Sequence, residues 1–431
     1  MKQTNKIIHL AFPAMMENLL QMLMGVVDNY LVAQVGLVAV SGVSVANNII
    51  TIYQAIFIAF GAAISSLVAK SRGEKNTEKM LQYQSEAILV TLGLSFVLGI
   101  FSLFFGKTVL HWLGTEIAVA QAGGLYLVIV GGLIASLGLM TTLSAFLRAL
   151  GKPQLPMYVS LLSNVLNAIF SAVSVFAFHW GIAGVACSTV LSRFIGTLLL
   201  ASQLPMSDIL KTIKWHLDGD LLKIALPMAG ERLMMRAGDV VIVAIIVKFG
   251  TEAVAGNAIG ETLTQFNYMP GMGVATATVI LVAHNLGQKN IQEIKRLVRD
   301  SYLISLLTMF CVGALVYFLG GHLTYLFTSN PTAITASLVV LWYSFIGGPA
   351  TAGTLIYTAA WQGLGNAKLP FYATTFGMWV VRIVLGYVLG ICLNLGLTGV
   401  WLATLADNIF RWFFLYALYK KFVQTDLNDN S

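Results

Sequence analysis

Apolar runs of about 20 residues, each long enough to cross the hydrocarbon core of a bilayer, alternate with short polar segments along the whole chain. Twelve stand out, over 7–30, 46–68, 84–105, 120–147, 156–177, 183–203, 224–247, 256–283, 301–319, 332–361, 371–391 and 397–418. The pattern predicts an all-α polytopic membrane protein with twelve transmembrane helices.

The runs also repeat. Pro13 and Glu17 recur as Pro227 and Glu231, and Gly36 and Gly42 as Gly250 and Gly256, an offset of 214. The segment LVAKSRGEKN from Leu67 recurs as LVAHNLGQKN from Leu281, and RALGKPQLPMY from Arg148 as QGLGNAKLPFY from Gln362. One insertion later, Gly181-Ile-Ala-Gly-Val recurs as Gly396-Leu-Thr-Gly-Val. Six spans per repeat is an even number, so both halves enter the membrane from the same side, as parallel repeats about an axis along the membrane normal do. The expected organisation is two pseudo-symmetric six-helix bundles, residues 1–204 and 221–431, joined by a cytoplasmic linker over 205–220. Ile209, Leu210, Ile213, Trp215 and Leu217 lie among charges in that linker, which reads either as an interfacial helix or as a solvated segment.

Composition narrows the class. Hydrophobic residues make up 58% of the 431 and charged ones only 10%, where about 25% charged is usual in soluble proteins; so few charges cannot coat soluble domains. A net charge of +7 would in a soluble chain suggest nucleic acid. Here most Lys and Arg fall in segments assigned to the cytoplasm, with only Lys107 and Lys248 in the opposite loops. That bias is the positive-inside rule, and it places both termini in the cytoplasm. The basic balance therefore reports topology in a multi-pass cell-membrane protein, with the lipid bilayer as its partner and no nucleic acid. Met1 to Lys6 runs into the first span without a cleavage pattern, so that span reads as a retained helix. Cys187, Cys311 and Cys392 are isolated, and the histidines show no metal-ligand spacing. No nucleotide-binding or nucleophile motif is present. The reading is a transporter and not an enzyme, without cofactor or metal, driven by an ion gradient and expected as a monomer.

Ionisable groups within spans are costly and face a cavity or a partner. Asp407 and Arg411, four apart, and Arg236 and Asp239, three apart, are spaced to neutralise each other within a helix and are expected as structural ion pairs. Glu17, Asp28 and Glu261 have no base nearby on their own helices. Glu17 and Asp28 share a face about 16 Å apart along the helix axis, with Gln21 and Met24 between them, and that face is expected to line a cavity. Ser160, Asn164, Asn167, Ser171 and Ser174 form a polar stripe on the fifth span, either interhelical glue or an ion or solute path. At the offset of 214 the second repeat replaces Asp28, Asn164 and Asn167 with Ile242, Met378 and Val381, so an ion site is expected in the first half only. Asn257, Glu261, Gln265 and Tyr268 line the eighth span, and Tyr357 and Trp361 in the tenth offer aromatic faces for a cation. The expected substrate cavity thus comprises Glu17, Gln21, Asn164, Glu231, Glu261, Tyr268, Tyr357 and Trp361.

Pro13, followed fifteen residues later by Asp28 and then by Gly36, together with the paired LVAKSRGEKN and LVAHNLGQKN segments, Asn167 and Gly181-Ile-Ala-Gly-Val-Ala-Cys-Ser-Thr189, resembles the multidrug and toxic compound extrusion (MATE) family over essentially the whole chain. The resemblance implies a V-shaped pair of six-helix bundles that exports amphipathic organic cations in exchange for H⁺ or Na⁺. It maps the family's ion-coupling site onto Asp28, Asn167 and Thr189, with Ser171 where relatives often carry Asp or Asn. A hard cation prefers several oxygen ligands including charge, whereas a lone buried carboxylate suits a proton, which favours H⁺. Arg236 stands where some relatives carry a glutamate, so that role does not transfer. The alternative is a flippase of lipid-linked sugars, whose anionic cargo calls for a cavity lined by Arg and Lys.

Overall fold

The computed structural model describes residues 3–112, 115–213 and 219–429; Trp215 and Leu217 of the expected linker lie outside the described residues. The first half runs α1 (Gln3–Ala33), α2 (Leu37–Gly73), α3 (Thr77–Trp112), α4 (Ile117–Tyr126), α5 (Ala135–Ala149), α6 (Gln154–Phe176), α7 (Gly181–Ser202) and a short α8 (Met206–Lys211). The second runs α9 (Gly219–Val247), α10 (Thr251–Gly287), α11 (Ile291–Phe318), α12 (Gly320–Tyr325), α13 (Pro331–Ile346), α14 (Gly348–Gly363), α15 (Lys368–Phe376), α16 (Leu385–Tyr387) and α17 (Gly396–Asp429). Among the described residues, eight helices are each long and apolar enough to cross a membrane, Lys368–Cys392 counting as one. The pairs α4–α5, bent by 45°, and α13–α14, bent by 58°, raise the number to ten. The two remaining positions of the expected twelve fall on α9, which carries Glu231, Arg232, Arg236 and Asp239, and on α17, which carries Asp407 and Arg411; these charges dilute their hydropathy. The chain is an all-α polytopic membrane protein.

The backbone repeats more faithfully than the side chains do. Among the described residues, every position with left-handed φ has its counterpart: Gly36 with Gly250, Lys75 with Lys289, Gly151 with Gly365, His179 with Asn394 and Gly181 with Gly396. Gly36 (φ 141°) and Gly250 (φ 98°) lead into α2 and α10 in a conformation that a Cβ disfavours, which explains why glycine recurs there. Gly42 and Gly256 recur for a different reason. A Cβ on Gly42 would stand 2.6 Å from the Gly123 nitrogen of α4, and one on Gly256 would meet the Ala333 carbonyl of α13. Small residues let these helices approach closely, as in other membrane bundles.

The first three pairs are 214 apart and the last two 215, so the insertion lies between Gly365 and Asn394. It is visible as wound backbone. Where α6 is 23 residues of α-helix, its counterpart Lys368–Cys392 has 25, with π turns at Gly377–Val384 and Val388–Cys392. A π turn takes up one extra residue without ending the helix. The loop that follows is one residue shorter than its counterpart after α6, which leaves the net offset at 215.

The chain groups into two compact units, Met16–Leu222 and Met1–Met15 with Lys223–Ser431. This differs from the boundaries expected from the sequence at both ends of the first bundle. The start of α1 packs with the second unit, where Gln3 Nε2 donates to the Glu293 carbonyl at 3.3 Å and Ala11 and Met15 lie against Gly273. The described part of the linker belongs to the first unit: Ile209 is fully buried, and Thr212 bonds the Leu81 carbonyl and receives Ser85 Oγ at the start of α3. The described residues thus hold a short helix, α8, with its apolar Ile209 turned inward, and are not a free solvated segment.

Candidate ion and substrate sites

In the first unit α6 presents a buried seam of Ser160, Ser163, Asn167, Ser171 and Ser174, spaced 3, 4, 4 and 3. Ser163 takes the place in this seam expected for Asn164, which sits half-buried beside it with its Nδ2 unpartnered. The seam packs on α7, where Ser174 Oγ lies 3.4 Å from Ser188 Oγ and Ser163 Oγ abuts Gly196.

At mid-seam Asn167 bridges to α1. Its Nδ2 donates to Asp28 Oδ1 at 3.0 Å and Oδ2 at 3.3 Å. Its Oδ1 faces Ser171 Oγ at 3.3 Å and Thr189 Oγ1 at 3.4 Å. Asp28, Asn167, Ser171 and Thr189 therefore form one connected set from three helices. Arg193, one turn beyond Thr189 on α7, lies near enough to interact electrostatically with Asp28 and with Tyr126. That pairing has no local signature, because α1 and α7 are adjacent only in the folded unit.

Glu17 corrects the expectation of an acid without a counter-ion. Arg148, at the end of α5, donates to its Oε2 at 2.8 Å, and both side chains are largely buried. Between Glu17 and Asp28, Gln21 accepts from Gln54 at 3.3 Å. The second unit repeats the Glu17 contact in neutral form: Gln362 Nε2 donates to Glu231 at 3.1 Å across the same 131-residue separation, and Thr374 Oγ1 donates at 3.1 Å. Glu231 is buried and held by these groups, and not unpartnered as a cavity-lining acid would be expected to be.

The expected aromatic faces are also corrected. Trp361 is 5% exposed and donates Nε1 to the Leu415 carbonyl at 3.2 Å. Tyr357 is 7% exposed, its ring 5.3 Å from Tyr416 and 5.5 Å from Tyr419. Both rings are spent on core packing within the second unit and present no face to a cation. Glu261 is exposed on α10, as is Gln265, while Tyr268 is half-buried. Asn257, one turn before Glu261, interacts with its carboxylate and accepts from Trp401 Nε1 at 2.9 Å.

The charged residues of α9 and α17 form one network. Asp407 is fully buried; Arg411 reaches it at 2.9 Å and Arg382, from the π segment, at 2.7 Å. Arg411 also donates to Asn408 Oδ1 at 3.0 Å. Asp239 lies 3.9 Å from both Arg236 and Arg382, beyond hydrogen-bond reach. The i,i+3 and i,i+4 spacings identify two of these contacts; the contribution of Arg382 depends on tertiary packing and has no local signature.

The family model MatE matches residues 13–173 and again 227–388, two matches whose starts lie 214 apart and whose ends lie 215 apart, reproducing the repeat and its insertion. A Thermotoga maritima protein described as "Probable multidrug resistance protein NorM" is 27% identical over 94% of the chain and 90% of its own length. "Uncharacterized transporter YisQ" of Bacillus subtilis is 26% identical over 97% of the chain and 94% of its own length. Among solved structures, MATE in the bent conformation superposes with a TM-score of 0.92 at 19% identity, covering 100% of this chain and 99% of that one. MATE in the straight conformation gives 0.90 at 20% identity, covering 99% and 97%.

Proposed function

The chain belongs to the MatE family of membrane transporters, and on that premise we propose that it is a secondary multidrug exporter which moves amphipathic organic cations out of the cell in exchange for protons. The observation that carries this reading is the Asp28–Asn167 contact, a single intramembrane carboxylate answered by a neutral amide. Multidrug resistance is the description of several relatives, and Glu261 adds an exposed acid in the second half.

Proton is favoured over Na⁺ by the donors around Asp28. A hard cation takes six or more oxygens, yet Asn167 turns its Nδ2 towards Asp28 and engages its oxygen with Ser171 and Thr189. The nearby Arg193 charge further opposes a second fixed cation. In the proposed cycle Asp28 alternates between its ionised form, held by Asn167, and its protonated form, which alters α1–α6 packing. Protonation from outside and release to the cytoplasm then drive cargo the other way. The termini face the cytoplasm in this scheme, in keeping with the Lys and Arg distribution.

The test is ethidium efflux from proteoliposomes with pH and Na⁺ gradients imposed separately. A pH gradient alone is expected to drive efflux and a Na⁺ gradient alone to fail. Efflux driven only by Na⁺ would reassign the ion; movement of anionic lipid-linked sugars without dye transport would establish the flippase alternative.

A further inference from the structure

The π turns change which residues of the two halves correspond. Gly196 on α7 faces Ser163, and Arg411 on α17 faces Gly377. These contacts align Ser163 of α6 with Gly377 at an offset of 214, and Gly196 of α7 with Arg411 of α17 at 215, so the register shifts within the π-wound helix between them. On that register Arg382, not Val381, stands where Asn167 stands; Asp407 replaces Ser192 and Arg411 replaces Gly196. The acids of the first helices stand at different positions, Asp28 corresponding to Ile242 and Asp239 to Gly25, but Asn167 reaches the one and Arg382 lies 3.9 Å from the other. The expectation that Asn167 has a plain apolar counterpart is thereby corrected.

The two halves thus solve one problem differently. In the first, a neutral amide makes the direct contact with the acid, with the Arg193 charge nearby. In the second, a guanidinium fills that place. Arg382 is fixed to Asp407 through Nε at 2.9 Å and Nη2 at 2.7 Å, with Nη1 towards Asp239. Gly377 leaves room for the Asp407 carboxylate and the Arg411 stem, a space that a Cβ would fill. A guanidinium does not release its proton under physiological conditions, and a buried, doubly bonded ion pair does not admit a further cation without losing its own partner.

We propose that Arg382 is a tethered, non-exchangeable cation that fills, in the second half, the role the transported ion has at Asp28, so that the cycle couples one ion per cargo and only through the first half. The proposal rests on the reading of Asp28 as the coupling carboxylate. Arg411, Arg236 and Glu261 surround the cluster, and none of them displaces Arg382 from Asp407.

Coupling stoichiometry in proteoliposomes of the full chain tests it. With one proton per ethidium, exchange is electroneutral, insensitive to a clamped membrane potential, and a pH gradient of one unit sustains a dye gradient of about tenfold, the factor that each 1.4 kcal/mol supports. Arg382→Asn removes the tethered charge between Asp407 and Asp239, leaving Asp407 with Arg411 alone and Asp239 open to a second ion; the sustained gradient is expected to rise to about 100-fold and to become potential-sensitive. Arg382→Lys keeps a tethered charge and is expected to behave as the parent does. A parental stoichiometry in Arg382→Asn overturns the proposal, as does two-ion coupling in the parent or in Arg382→Lys, both measurable even if Arg382→Asn does not fold. Asp28→Asn separates the two levels: coupling that survives this change removes the underlying reading, whereas lost coupling there beside unchanged stoichiometry in Arg382→Asn removes only the tethered cation.

Discussion

Asp407→Asn is expected to be among the most damaging isosteric changes in the second unit. The substitution keeps volume and shape but removes the negative charge that holds Arg382 and Arg411 in a fully buried position. An asparagine retains one acceptor oxygen and turns an NH₂ group towards donors. Arg411 keeps Asn408 Oδ1 at 3.0 Å, and Arg382 keeps only the 3.9 Å approach to Asp239. Breaking a buried pair from one side costs about 3–5 kcal/mol, because the remaining charge is left uncompensated. At roughly 2–4 °C per kcal/mol for a unit of this size, the apparent unfolding temperature in detergent should fall by on the order of 10 °C. Intrinsic tryptophan fluorescence reads this directly, since Trp361, Trp401 and Trp412 lie in the same unit. Replacing Asp407, Arg382 and Arg411 together by apolar residues of similar volume should recover much of the loss, as apolar replacements of buried ion networks do. If Asp407→Asn unfolds within a degree of the parent, the network is not holding the unit together and the reasoning fails.

Three further outcomes follow from the same geometry. Asp28→Asn should abolish pH-driven dye efflux while leaving the unfolding temperature nearly unchanged, since among the described residues Asp28 receives its side-chain hydrogen bonds from Asn167; efflux at the parental rate would exclude Asp28 as the coupling group. Arg148→Gln transplants the second unit's neutral contact onto Glu17, so it should cost clearly less stability than Arg148→Ala, and equal losses in the two variants would refute the equivalence. Trp361→Phe removes the bond to the Leu415 carbonyl and should lower stability by about 1 kcal/mol without changing dye affinity; a selective affinity loss would return Trp361 to the substrate site.

The spans, the duplication and the grouping of Asp28 with Asn167, Ser171 and Thr189 were legible in the sequence, because helical period, motif spacing and family resemblance all act locally or at a constant offset. Partners across helices were not. Arg148 lies 131 residues from Glu17, and Arg193 and Arg382 meet their acids only through packing. The aromatic assignments failed because Tyr357 and Trp361 carry no mark that separates a packing ring from a binding one; their neighbours Tyr416 and Tyr419 come from α17. The fixed offset misplaced Arg382 because the insertion lies inside a helix, where no loop signals it.

That hidden insertion has a consequence of its own. A residue added to an ordinary α-helix would rotate everything beyond it by about 100°, turning a packed face away from its neighbour. Within a bilayer the alternative of looping the residue out is closed, since unpaired backbone in hydrocarbon is too costly. Winding it into a π turn keeps the distal faces in phase, and Gly386 still meets Ile242 and Gly390 still meets Phe249. The duplicated half could therefore gain a charged side chain at its centre while its outer turns kept an inherited fit, so that chemical divergence between the repeats did not require the surrounding packing to be rebuilt.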